Sequence, residues 1–551
     1  MKTKISLIVV VFIFLFTTAQ NQNLTQQFDD IVAQYYNDNN APGATVLVAK
    51  NGKAIYRKAV GKSNLELDVD MIPENVFMLA SITKQFTAVS ILMLEEQGKL
   101  SLDDTITKFI PDYPTHGKTI TVHHLLNHTS GIKSYTSIGD LRQVARQDKT
   151  LNELIDYFKN EPMDFDPGED YSYNNSGYVL LGKIIEVVSG ENYADFIHNH
   201  IFQPLGMNAS QYGSNTKLIK NRAMPYEEAD NGYVNASYLS MSIPHAAGAL
   251  TSTIDDMLKW QNALTSNTLI KNSTLQKAIN GSNLNNGEHI AYGYGLSELT
   301  FKGSKGYTHS GGIFGTSTDG IYFIEEDVYV IGLSNCNCNN INGLTAKLAA
   351  LAIDKPYPTM KDVIELSEEQ LKQWVGAYEF EDGAIRHVYL ENGQLKSMRE
   401  SETNTPFDIF PLSEKRFMFE NEFIEYIFSK SEDGNRTVVF STESQDFKGK
   451  ETNKTMPKPR SEMKLSNEIL KQYIGTYQLA TNFNVEVTVE GNQIFAQATG
   501  QGKFEIFAEN ETTFFAKVTA LKIVFNENTS GKVESFTLYQ GGQETIAKKI
   551  E

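Results

Sequence analysis

The sequence predicts an α/β sandwich with an all-helical region inserted into it, followed by two small antiparallel β domains. Three observations predict it. A helix-and-hairpin pattern near the start and a strands-and-helix pattern up to residue 353 flank a middle, residues 85–300, that reads mainly as helix and loop. A proline-punctuated linker, Lys355-Pro356-Tyr357-Pro358, then marks a change of character. Beyond it the chain repeats itself at an offset of 99 residues.

Taken in order, the chain opens with Lys2 and Lys4, an apolar run from Ile5 to Phe16, and the small residues Thr17, Thr18 and Ala19. Basic, apolar, small is the pattern of a secretory signal peptide over residues 1–19, with an exported, periplasmic or secreted chain starting at Gln20. The apolar run is too short to span a bilayer, and no cysteine follows it to carry a lipid. The net charge of −18 excludes nucleic acid and anionic membrane surfaces as partners.

Leu24, Phe28, Ile31, Val32 and Tyr35 recur at helical spacing, which predicts a helix over 23–38. Asn51-Gly52 separates two strand-like runs, 44–50 and 54–60, and signals a hairpin. Residues 306–310, 316–324 and 328–333 read as strands, and 345–353 as a helix. These elements form one sheet layer of a domain spanning 20–356. Cys336 and Cys338 are one residue apart, and are read as two loop thiols rather than a disulfide or a metal site.

After the linker, Trp374-Val-Gly-Ala-Tyr378 resembles Tyr473-Ile-Gly-Thr-Tyr477, and the stretch from Val388 resembles the stretch from Val487. Two β domains follow, 361–455 and 465–551, joined by 455–460. Closure into small barrels would remove their exposed edges. They can serve as caps or spacers, or as ligand-binding or gating modules.

The chemistry centres on Ser81-Ile82-Thr83-Lys84. Ser-x-x-Lys occurs four times in the chain. Only this copy opens an apolar, core-like helix, which ends near Gly98. Serine and lysine at i and i+3 share a helix face. The helix mouth adds unpaired N–H groups and a favourable dipole for a developing oxyanion. That is the arrangement of an activated nucleophile.

Three further stretches bear on Ser81. His124 and His128 are spaced i, i+4, yet the glutamate of a zinc-protease motif is absent, so this is read as a helix end closed by Gly131. Tyr173-Asn174-Asn175 lies on a loop before a helix from about Gly177, where a phenol can move a proton and an amide can hold a substrate carbonyl and a lysine. His309-Ser310-Gly311-Gly312 ends a strand along which an extended substrate can pair.

Together these stretches resemble the penicillin-recognising serine hydrolases: class C β-lactamases, D-alanyl-D-alanine carboxypeptidases, D-aminopeptidases and related esterases. The resemblance covers about residues 25–350, with Ser81-x-x-Lys84, Tyr173-x-Asn175 and His309-x-Gly311 in order. It implies a β-lactamase/transpeptidase-like fold and an acyl-enzyme on Ser81, with Lys84 and Tyr173 sharing the proton work. It implies that Asn175 and His309 bind substrate, and that the N–H groups of Ser81 and Gly312 form the oxyanion hole beside Gly311. No metal or organic cofactor is implied. The layout is similar to that of D-aminopeptidases, whose catalytic domain is followed by two eight-stranded, lipocalin-like barrels. His309 departs from the lysine of dedicated class C β-lactamases and disfavours a firm hold on a β-lactam carboxylate. The expected function is therefore an exported hydrolase of an amide in a D-amino-acid peptide, or of an ester. A β-lactamase and a non-catalytic binder of cell-wall fragments are the alternatives.

Overall fold

The computed structural model describes residues 23–400, 406–420, 423–456, 462–480, 483–499, 501–517, 519, 521–528, 530–540 and 543–550. The leader at 1–19 and part of the 455–460 linker lie outside them. The chain divides into two compact units after Tyr357.

In the first unit, helix α1 spans residues 23–35. Strands β1 (Ala44–Lys50) and β2 (Lys53–Val60) form the hairpin on Asn51-Gly52, both residues having positive φ as a tight hairpin turn requires. Four more strands complete an antiparallel sheet: β3 (Ser297–Phe301), β4 (Ser304–Ile313), β5 (Thr316–Phe323) and β6 (Val328–Ser334). Their spatial order is β3-β4-β5-β6-β1-β2, so the two ends of the unit meet at the β1–β6 pair. Helix α2 (Thr83–Glu96) is buried nearly all round, with Phe86 stacked on Trp260 at 4.0 Å. Next come α3 (Val122–Leu126), α4 (Asn175–Ser189) and α5 (Ile254–Thr265). Side chains alternate across a strand. Ile331 and Leu333 of β6 therefore join the core shared with α2, α4 and α5, while a Cβ on Gly332 would meet Ile341 and Thr345 of α6 (Ile341–Ala352) on the other face. This is the α/β sandwich with a helical insertion that the sequence predicts.

Strand β4 is longer than its outer neighbour. Strand β3 pairs only with Ser304 to Thr308, so His309 to Ile313 pair with β5 alone among the described strands. One edge of this stretch is open.

The second unit holds two closed eight-stranded antiparallel barrels, from Gly376–Phe380 to Asp446–Thr452 and from Gly475–Ala480 to Gln543–Lys549. The repeat extends to single bonds. Tyr378 Oη donates to the Trp374 carbonyl at 2.9 Å, and Tyr477 Oη to the Tyr473 carbonyl at 2.8 Å. Each barrel has its own aromatic-rich core.

Three local expectations are corrected. Cys336 and Cys338 are joined as a disulfide, because the turn after β6 brings their Cα atoms to 5.2 Å, within bonding range. Helix α3 stops at Leu126, and the left-handed residue after it is His128 (φ +64°). Gly131 lies beyond, at φ +70°, where a Cβ would sit 1.9 Å from the Phe165 carbonyl oxygen, so it packs two loops together rather than ending a helix. Asn175 is the first residue of α4, capped by the Asn174 side chain that accepts from Gly177 N–H at 2.8 Å.

Candidate active site

Ser81 does not sit in the first turn of α2. It lies in a short 3-10 turn, Ala80–Ile82, immediately ahead of it. Ala80 is left-handed at φ +48°, a conformation that costs a residue with a Cβ about 1–3 kcal/mol and persists only under strong local constraint. The constraint is visible. Leu79 N–H donates to Leu250 O at 2.8 Å, and Thr318 Oγ1 donates to Leu79 O at 3.0 Å. From β4, Gly311 presses against this turn so closely that a Cβ there would lie 2.6 Å from Leu79 O and 3.0 Å from Ser81 N. Gly312, one residue on, faces open space.

Lys84 is wholly buried, one turn below Ser81. Its Nζ contacts Asn175 Oδ1 at 2.8 Å, the Ala247 carbonyl at 2.8 Å and Ser81 Oγ at 3.2 Å. Burial pushes its pKa well below the usual lysine value. The neutral amine so favoured has two N–H donors and one lone pair. Asn175 Oδ1 and Ala247 O can only accept, so they take the two donors. The lone pair is left facing Ser81 Oγ, where it can take the hydroxyl proton. Asn175 is oriented for this by its Nδ2, which donates to Thr136 Oγ1 at 3.2 Å.

The Tyr173 ring lies 4.8 Å from Lys84 Nζ, and its phenol pKa is raised by burial against a weaker opposing hydrogen bond with Ser81. Tyr173 is thus protonated at rest and suited to relaying a proton rather than starting as the base. His128 fixes this loop. Its Nδ1 accepts the Asn174 N–H at 3.0 Å, its carbonyl accepts the Ser172 N–H at 3.1 Å, and its ring packs on Tyr173 at 4.4 Å.

His309 is buried and locked. Its Nδ1 lies 2.6 Å from the Ser310 carbonyl, an obligate acceptor, so Nδ1 carries the proton. Its Nε2 lies 3.0 Å from Tyr292 Oη and accepts from it. Burial lowers its pKa to about 3 and keeps it neutral. Tyr292 was not singled out from the sequence, although it begins an aromatic–glycine run, Tyr292-Gly-Tyr-Gly295, just before β3.

Two cavities meet at Ser81 and Gly312. The strand-side cavity, about 420 Å³, runs along the open part of β4 past Tyr173, Tyr292 and His309. The helix-side cavity, about 330 Å³, is lined by Tyr135, Asn175, Leu239 and Phe314, with the Arg142–Glu227 ion pair at its wall. An extended substrate can lie across both with its reacting bond over Ser81. The structure therefore gathers Ser81, Lys84, Tyr173, Asn175, His309, Gly311 and Gly312 around one cleft in the first unit.

A fold of this kind, with a serine beside a buried lysine under an open strand, defines a class of proteins. Residues 28–353 match the family model described as Beta-lactamase, and the chain belongs to that family. Residues 459–549 match a second model, described as Domain of unknown function (DUF3471). Among curated proteins, the chain is 31% identical over 425 residues to "Penicillin-binding protein 4*" of Bacillus subtilis (strain 168), covering 72% of this chain and 92% of that one. Among solved structures, it is similar to the octameric penicillin-binding protein homologue from Pyrococcus abyssi, with TM-score 0.53 and 26% identity over 78% of this chain and 99% of that one. It is also similar to the D-amino acid amidase from Ochrobactrum anthropi SV3 complexed with L-phenylalanine amide, with TM-score 0.53 and 25% identity over 61% and 99% of the two chains.

Proposed function

We propose that the protein is an exported serine hydrolase that cleaves an amide in a D-amino-acid-containing peptide, or an ester, through an acyl-enzyme on Ser81. The observation that carries this reading is the buried Lys84, whose two N–H groups are taken by Asn175 Oδ1 and Ala247 O and whose third position faces Ser81 Oγ at 3.2 Å. The likeness to a D-amino acid amidase supports the amide substrate. The Cys336–Cys338 disulfide suits an oxidising compartment outside the cytosol, and so supports export.

In this reading Ser81 Oγ attacks the substrate carbonyl carbon as its proton passes to Lys84 Nζ. The N–H groups of Ser81 and Gly312 hold the developing oxyanion. Lys84, through Tyr173, returns the proton to the leaving nitrogen or oxygen, and the bond to the carbonyl carbon breaks. Water then adds to the acyl-enzyme with the same groups taking its proton, releasing the acid and free Ser81. Asn175 holds both Lys84 and substrate, and the open edge of His309 to Ile313 pairs with the substrate backbone.

The test is a hydrolysis screen of D- and L-aminoacyl amides, short esters and β-lactams, with Ser81→Ala as control. Expected is Ser81-dependent turnover of D-aminoacyl amides or esters above that of β-lactams. Equal hydrolysis by Ser81→Ala, or no labelling of the wild type by a fluorophosphonate, would falsify the reading.

A further inference from the structure

The charge inventory of the strand-side cavity is unusual for a site expected to hold peptide ends. Among its described lining residues there is no lysine or arginine. Lys84 lies beneath Ser81 and spends its donors elsewhere. The one basic side chain that faces the cavity is His309, whose single N–H is spent on the Ser310 carbonyl and whose Nε2 is held as an acceptor by Tyr292. The one carboxyl is Asp319 of β5, opposite Ser310 in the sheet, buried against α6, where burial raises its pKa to about 7 against the opposing hydrogen bond it accepts from Thr345 Oγ1. Tyr292 cannot easily turn away. It is 5% exposed and its ring is packed against His128 at 4.6 Å and Tyr173 at 6.1 Å.

We infer that the strand-side cavity selects a substrate group carrying no negative charge, and that Tyr292 sets this selectivity by holding His309 as a hydrogen-bond acceptor. This inference rests on the hydrolase reading above and narrows its substrate class. A carboxylate entering the cavity gives up its hydration and meets no cation, a histidine with no proton to offer and, as pH rises above about 7, the charged form of Asp319. An amide or ester carries no charge to compensate. An ammonium group finds tyrosine rings and the Asp319 carboxyl. Tyr292→Phe would leave His309 Nε2 without its donor and open to share the proton of an entering carboxyl group. Asp319→Asn would remove the acidic neighbour.

The experiment compares acetyl-D-alanyl-D-alanine with its C-terminal amide on the full-length chain, following cleavage between the two D-alanines by mass spectrometry. The wild type is expected to show kcat/KM at least about tenfold higher for the amide. Tyr292→Phe and Asp319→Asn are each expected to shrink that ratio at least about threefold. If Tyr292→Phe fails to fold, the wild-type ratio and Asp319→Asn decide. A wild-type ratio at or below one overturns the inference, as does a high ratio that neither variant moves. Cleavage of neither peptide, with Ser81 still labelled by a fluorophosphonate, overturns the inference and leaves the hydrolase reading standing. Loss of Ser81-dependent labelling as well overturns the reading itself.

Discussion

Asn175 places its side-chain oxygen 2.8 Å from Lys84 Nζ and, through its other amide arm, ties that contact to Thr136. A neutral acceptor at this point leaves the lysine free to lose its proton. A carboxylate in the same place would hold the proton on.

The first prediction follows from that difference. Burial lowers the pKa of Lys84, so the neutral, proton-accepting form is gained as pH rises through a midpoint below 10.5 and lost as pH falls. The rate of Ser81 labelling by a fluorophosphonate should rise with that midpoint in the wild type. Asn175→Asp should move the midpoint to higher pH and slow labelling at neutral pH. A pH profile unchanged by the substitution would contradict the role given to Lys84.

Gly311 offers a test of placement rather than chemistry. A methyl group there would strike backbone atoms at Leu79 and Ser81, which no side-chain rotation can clear. Gly311→Ala should lower kcat on the order of 100-fold, the effect of displacing a reacting group by about 1 Å. Gly312→Ala meets nothing within 4 Å and should keep its melting temperature. Thermal melts run beside the kinetics separate the two effects.

The helical core should be sensitive where Phe86 stacks on Trp260. Phe86→Ala should cost about 3–5 kcal/mol of stability in the first unit. The chain has two tryptophans, Trp260 and Trp374, one in each unit. In a Trp374→Phe background, urea unfolding followed by fluorescence therefore reports the first unit alone.

The paired tyrosines of the two barrels should behave alike. Tyr378→Phe and Tyr477→Phe each leave a buried carbonyl without its donor, at a cost of about 1–3 kcal/mol confined to that barrel. Hydrogen exchange resolved by peptide should show faster opening of one barrel and no change in the other.

Much of this architecture is written in local pattern. Asn51-Gly52 names its hairpin, the 99-residue repeat names two like domains, and the apolar run after Lys84 singles out one Ser-x-x-Lys from four. What escapes the sequence is made by distant segments. The Ala247 carbonyl carries no side-chain signal, yet it is one of the contacts that orient Lys84. Tyr292 touches His309 only because the chain turns back between the helical region and β4. The left-handed Ala80 is imposed by Leu250, Thr318 and Gly311, none of which is near it in sequence. The disulfide escapes the sequence because the separation of two cysteines along the chain does not give the backbone turn between them. The turn after β6 folds back sharply enough to join residues two apart.

The open edge of β4 carries a liability as well as a use. Unpaired strand edges invite other chains, including copies of the same protein, to add themselves to the sheet. Here the exposed stretch is short, and two adjacent glycines, Gly311 and Gly312, give it little propensity to extend a sheet. A visiting strand would gain few hydrogen bonds and almost no side-chain contact at those positions. Only a ligand held by something more than backbone pairing would stay, so the two glycines that lie beside Ser81 also disfavour polymerisation of the molecule along its own sheet.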